Sequence, residues 1–172
     1  MINLPNMITV IRILLVPLFL VVFWAAGPHS ILWGMLILAV AGITDVIDGY
    51  LARKLHMVTP LGKILDPLAD KLMVISVMTS LFMIGRFPLW LVVLVIVKEL
   101  LLVTGSLFMV IRKHLQVSAN FYGKAATIAI YAALFFSAFK ITGSSLVTIL
   151  AGVISVIALS VYALSFVRRR TY

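Results

Sequence analysis

Residues 145–167 read SLVTILAGVISVIALSVYALSFV, 23 positions without a charged side chain, and Arg168, Arg169 and Arg170 follow at once. About 20 apolar residues suffice for a helix to cross the hydrocarbon layer, and a continuous run, without strand-like alternation, favours a spanning helix over a barrel strand. Working back from this segment, five more apolar stretches appear: Met7 to Ala26 (ended by Gly27-Pro28), Ile31 to Lys54, Pro60 to Gly85, Phe87-Pro88 to Ile111, and Phe121 to Lys140. The whole chain is 64% hydrophobic and 11% charged. Soluble domains are nearer half apolar and a quarter charged, so this composition has too little polar surface to face water. The expected fold is an all-α integral membrane protein, with six transmembrane helices in a single domain over residues 1–172.

Charge placement orients that bundle. With six crossings both termini share a side with the second-to-third and fourth-to-fifth loops. That side collects Arg53, Lys54, Lys63, Arg112, Lys113, Lys124 and the closing arginines, whereas the opposite loops carry only Arg86 and Lys140. Basic loops stay cytoplasmic, so both termini are expected there, in the cell membrane. A net charge of +9 in a soluble chain would suggest nucleic acid; at helix ends it serves topology and anionic lipid, and no nucleic-acid partner is expected. There are no cysteines, which excludes disulfides and thiolate metal sites. The N-terminus lacks a basic region ahead of its apolar run and Arg12 lies inside that run, so the segment reads as a retained first helix. Ile2 and Leu4 would place Met1–Pro5 along the interface, and Asn6 reads as a helix cap.

Of five acidic residues in the chain, four are Asp45, Asp48, Asp66 and Asp70. Asp45, Asp48, Gly49 and Ala52 recur at three and four residues and so share one helix face; Gly62, Asp66 and Asp70 recur at intervals of four on the next helix. The eight residues between Arg53 and Gly62 make the two helices antiparallel neighbours, with both carboxylate pairs near the cytoplasmic face. Four carboxylates in low dielectric need counter-charge. Oxygen ligands favour hard cations, magnesium first and manganese second, and two such ions would also hold a diphosphate. Gly49 and Ala52 leave a groove beside the carboxylates, and Arg53 is placed to meet a phosphate oxygen. Two blander readings compete: buried ion pairs with Lys63, Lys71 or Lys98, and a pathway of a small cation transporter. Glycine, alanine and arginine at fixed offsets favour catalysis, because ion conduction requires none of them.

The stretch from Asp45 to Asp70 resembles the signature of the CDP-alcohol phosphatidyltransferases, D-x2-D-G-x2-A-R-x8-G-x3-D-x3-D, with every fixed position filled. The resemblance implies six transmembrane helices, usually in a homodimer, with the site on the cytoplasmic side. It implies transfer of a phosphatidyl group from CDP-diacylglycerol to an alcohol, releasing CMP. Carried onto this chain, Asp45, Asp48 and Asp66 would be the main ligands of two Mg2+ or Mn2+ ions. Asp70 would contribute to the second metal and act as general base. Asp45, Gly49, Ala52 and Arg53 would line the CDP site.

Asn6, Thr9, Arg12 and Pro17 look like the opening of bacterial phosphatidylglycerophosphate synthases and of the related cardiolipin synthases, and the run Leu65 to Lys71 resembles both. The implied acceptor is glycerol 3-phosphate, with phosphatidylglycerol as the alternative. Lys98-Glu99 stands where those enzymes carry an arginine–acid pair, but Ser106 replaces a further arginine common in the glycerol 3-phosphate enzymes. Lys98 and Lys124 are candidates for the acceptor's phosphate, and Thr9 and Arg12 for closing the site from the first helix. For Lys98 an ion pair or a snorkelling amine competes with that role, and for Lys124 a topological anchor does. His29, His56 and His114 have no ligand spacing. Trp33 and Trp90 read as an interfacial belt.

Overall fold

The computed structural model describes the backbone of residues 4–54, 62–111 and 121–168, and the side chains of residues 10–44, 47, 54, 68–104 and 121–164. Six α-helices occupy these residues: α1 (Leu4–Ala25), α2 (Ser30–Lys54), α3 (Gly62–Met83), α4 (Leu89–Ile111), α5 (Phe121–Ala138) and α6 (Ser144–Arg168). Each expected apolar segment becomes one helix, with ends shifted by three residues or fewer. The largest shift is at the start of α1. Pro5 is its second residue, where a missing N–H costs nothing because first-turn donors have no intrahelical partner. Leu4 and Pro5 are thus helical instead of lying in a separate interfacial segment, and Asn6 is inside the first turn instead of capping it.

Among the described residues, three spans are long and apolar enough to cross a bilayer: Gly27–Thr44, Phe121–Ala138 and Ser144–Leu164; Val10–Ala25 is apolar but shorter. Large apolar side chains face outward on these helices, among them Val21, Ile128 and Leu146, each more than 60% exposed. Such a surface suits lipid. By contact the chain divides into two compact units, Met1–Leu81 and Phe82–Tyr172.

In the first unit a 3-10 turn at Gly27–His29 folds α2 back along α1, and the two helices pack closely. Gly34 makes the approach possible. A Cβ there would stand 2.8 Å from Phe23 Cδ2 and 3.0 Å from Phe19 Cε2, closer than real contacts allow. Phe19 and Phe23 stack at 5.3 Å between ring centroids, both buried.

In the second unit α6 packs against α5 and α4. Gly152 of α6 accepts the Trp90 ring, whose Cζ3 and Cη2 would lie 2.6 and 2.7 Å from an added Cβ. Small buried residues line the rest: Ala126 and Ala133 on α5, Ala151, Ser155 and Ala158 on α6. Close backbone approach of this kind drives helix association where lipid removes the hydrophobic drive. The end of α5 is closed by a Schellman motif, with Ile141 N–H donating to Phe136 C=O at 2.9 Å and Lys140 N–H to Ser137 C=O at 3.3 Å. Lys140 itself occupies the left-handed position usual for glycine, at φ 51°. Arg86 donates to the Ala138 carbonyl at the same helix end. Arg86 and Lys140, the cations of the sparsely charged side, therefore both complete one helix C-terminus, where the macrodipole favours positive charge. That bond also places the segment that leads into α4 beside the end of α5.

Candidate active site

The fixed positions of the signature all fall within two helices. Asp45, Asp48, Gly49, Ala52 and Arg53 lie in the last three turns of α2, and Gly62, Asp66 and Asp70 in the first three of α3. Along α2 the buried residues Gly34, Leu38 and Ala41 form a stripe of alternating four and three spacing, and its next positions are Asp45, Asp48 and Ala52. Asp70 is half-buried beside fully buried Ala69, with exposed Leu68 on the other flank. The side chains of Asp45, Asp48, Ala52, Arg53, Asp66 and Thr9 lie outside the described residues, as do His56 and His114.

The candidate cations separate sharply. Lys98 is 3% exposed and its Nζ lies 2.9 Å from Glu99 Oε1. Burial to that degree excludes snorkelling, and among the described residues the ion pair of Lys98 runs to Glu99. Lys124 is exposed in the first turn of α5, as an anchor would be. Arg12 is 1% exposed, the bulkiest of the fully buried side chains. Trp33 and Trp90 are about half exposed, and His29 is exposed in the 3-10 turn. One neighbour was not legible in sequence: the Tyr162 hydroxyl sits over Gly123, 3.1 Å from where a Cβ would be, beside Lys124. The two positions are far apart in sequence, and no spacing rule connects them.

The sequence model of the CDP-alcohol phosphatidyltransferases matches residues 2–164, across both units. The chain belongs to the CDP-alcohol phosphatidyltransferase family. Among curated relatives within it, the CDP-diacylglycerol–glycerol-3-phosphate 3-phosphatidyltransferase of Bacillus subtilis is 40% identical over 141 residues, covering 75% of this chain and 72% of that protein. A cardiolipin synthase (CMP-forming) of Streptomyces coelicolor is 37% identical over 132 residues, 73% of this chain and 60% of that protein. The CDP-diacylglycerol–glycerol-3-phosphate 3-phosphatidyltransferase of Pseudomonas fluorescens reaches 50% identity over 72 residues, 42% of this chain and 37% of that protein. Relatives with two different named activities therefore match this family member at similar identity.

The donor set fits the divalent-metal dependence general to the family. Two carboxylate positions on one helix and two on the next, with no sulfur in the set, suit a hard cation with oxygen ligands. Both pairs stand at helical spacings of three or four, so each pair can act on one face.

Proposed function

We propose that this membrane protein transfers the phosphatidyl group of CDP-diacylglycerol to glycerol 3-phosphate and releases CMP. The observation that carries the proposal is the complete eight-position signature, with its fixed positions in the last turns of α2 and the first turns of α3. In this reading Asp45, Asp48 and Asp66 hold two divalent cations, magnesium or manganese, with Asp70 contributing to the second. Bound there, the cations supply charge neutralisation for the diphosphate and for the phosphate oxygen that departs with CMP. Gly49 and Ala52 leave room for the CDP moiety against α2, and Arg53 donates to its phosphate oxygens.

Asp70 takes the acceptor's hydroxyl proton on a carboxylate oxygen. The freed oxygen bonds to the lipid-side phosphorus as the bond from that phosphorus to the CMP oxygen breaks, and CMP leaves with the electron pair. Lys98 would meet the acceptor's own phosphate, exchanging its present ion pair with Glu99 for the phosphate. Lys124 and Thr9 are secondary candidates.

All six helices cross the membrane in this reading, with both termini and the site on the cytoplasmic side, in one domain spanning both units and in a homodimer. Ser106, in place of a common arginine, and the likeness to a cardiolipin synthase favour a second reading, with phosphatidylglycerol as acceptor. Family membership favours either transfer over cation passage. The test supplies purified protein with labelled CDP-diacylglycerol, magnesium and a panel of glycerol 3-phosphate, phosphatidylglycerol, inositol phosphate and serine. CMP release dependent on glycerol 3-phosphate, with phosphatidylglycerol phosphate identified by mass, is expected. Cardiolipin from phosphatidylglycerol alone would shift the assignment to the second reading. No acceptor-dependent CMP, with cation flux in proteoliposomes, would remove both.

A further inference from the structure

Leu91, Val92, Val95 and Lys98 stand at helical spacings along α4 and are all buried, so Lys98 continues an apolar stripe with a charge, at 3% exposure. Glu99 is turned about 100° further round the helix and falls off that stripe. Consecutive residues do not face one another on a helix, so the two side chains meet only by leaning together. They do so closely, with Lys98 Nζ 2.9 Å from Glu99 Oε1, but under unequal cover: 4% of the Lys98 side chain is exposed and 20% of that of Glu99.

A buried ammonium left without an anion is strongly destabilising, so some anion must stay on Lys98 throughout a reaction cycle. Glu99 provides one from the adjoining residue. A tether that short gives its carboxylate a high effective concentration against any anion arriving from outside. The pair is therefore a site of competition: an incoming anion gains the amine only by turning Glu99 aside. The unequal cover says which partner moves, since the less covered carboxylate can turn away while the amine stays enclosed.

We propose that Glu99 is a positioning residue that acts through Lys98, a tethered anion that holds the amine between turnovers and reclaims it from the product. This rests on the reading in which Lys98 meets the acceptor's phosphate. In that reaction the bond that breaks lies in the donor's diphosphate, and the phosphomonoester of glycerol 3-phosphate passes unchanged into the product. Lys98 would then grip the product as firmly as it grips the acceptor. An internal competitor loosens both, raising the acceptor concentration needed and speeding release.

The test uses the full chain in detergent micelles, with CMP release for turnover and inorganic phosphate as a binding probe followed by thermal midpoint. Glu99→Gln keeps the size and removes the competing charge. The KM for glycerol 3-phosphate and the Kd of inorganic phosphate should each fall at least about tenfold, since a unit charge at contact is gone. Single-turnover CMP release should stay near wild type while the steady-state rate drops, which gives a burst of CMP. Glu99→Asp, with the charge on a shorter arm, should fall between; where E99Q gives no folded protein, E99D carries the test, with both constants below wild type. Lys98→Met should raise both constants, and adding E99Q to it should change neither, because Glu99 acts through the amine. A merely structural ion pair would weaken binding when broken, so unchanged or raised constants in E99Q overturn the proposal and leave Lys98 as the acceptor's cation. Unchanged constants in K98M remove the acceptor reading of Lys98 and the proposal with it. If wild type releases no acceptor-dependent CMP yet E99Q binds inorganic phosphate more tightly, the transferase reading fails and the exchange at Lys98 stands.

Discussion

At the residue scale, the proposed reaction divides the four aspartates between holding charge and moving a proton. Asp70 is the described member of the set, half-buried on α3 between buried Ala69 and half-buried Lys71. A carboxylate shared between a cation and the acceptor stays ionised, yet takes a proton as negative charge develops on the hydroxyl. Asp70→Asn keeps the shape and removes the base. Turnover should fall by about 10²–10⁴-fold, the usual contribution of a general base, while equilibrium binding of CDP-diacylglycerol in the presence of magnesium stays within a few-fold of wild type. Loss of donor binding in that assay would make Asp70 chiefly a metal ligand. Much of this site is legible in sequence because the chemistry demands carboxylates at helical spacing, and an apolar chain with five acids displays them. The state of Lys98 is not legible in that way. Its position inside α4 suits a snorkelling amine and a buried ion pair equally, and only the 2.9 Å contact with Glu99 at 3% exposure decides between them.

At the scale of elements, glycine notches set how near the helices come, and the two tightest differ in what they press against. Gly34 abuts Phe19 and Phe23, which are 0% and 4% exposed and have nowhere to go. Gly152 abuts the Trp90 ring, which is 48% exposed and can swing outward about its side-chain torsions. The added methyl in Gly34→Ala is thus overpacking in a closed seam, expected to cost about 1–3 kcal/mol, whereas Gly152→Ala should cost under about 1 kcal/mol despite its shorter contacts. Thermal midpoints of the two variants in one detergent compare them directly; equal losses would mean that Trp90 is as fixed as the two phenylalanines. The helices themselves were readable from apolar run length to within three residues. The seams were not, since a glycine announces a notch only once its partner across the interface is known, and the Schellman end at Lys140 uses a residue that local preference would not choose.

At the scale of the whole molecule, the distribution of positive charge and the position of the signature make one statement about orientation. With six crossings, Arg53, Lys54, Lys63, Arg112, Lys113, Lys124 and Arg168 to Arg170 would share a side with the aspartates, and the other side would carry only Arg86 and Lys140. Those two are accounted for locally, since both serve the C-terminus of α5. Removing them from the tally leaves the charge asymmetry nearly complete, which strengthens the inference that the aspartate ends face the cytoplasm. The water-soluble reactant and product fit: glycerol 3-phosphate and CMP are charged, and a site opening to the cytoplasm would exchange both without moving charge through lipid. The absence of cysteine makes the prediction clean to test, because every introduced thiol is the sole target. His56→Cys and Ser118→Cys, in the two basic connections, should react with a membrane-impermeant maleimide only after cells are permeabilised. Ile84→Cys and Thr142→Cys, beside Arg86 and Lys140, should react in intact cells. The reversed pattern would put the aspartates on the outer face and leave the proposed reaction without its cytoplasmic substrates. Labelling of His56→Cys and Thr142→Cys from the same side would break the alternation of six crossings.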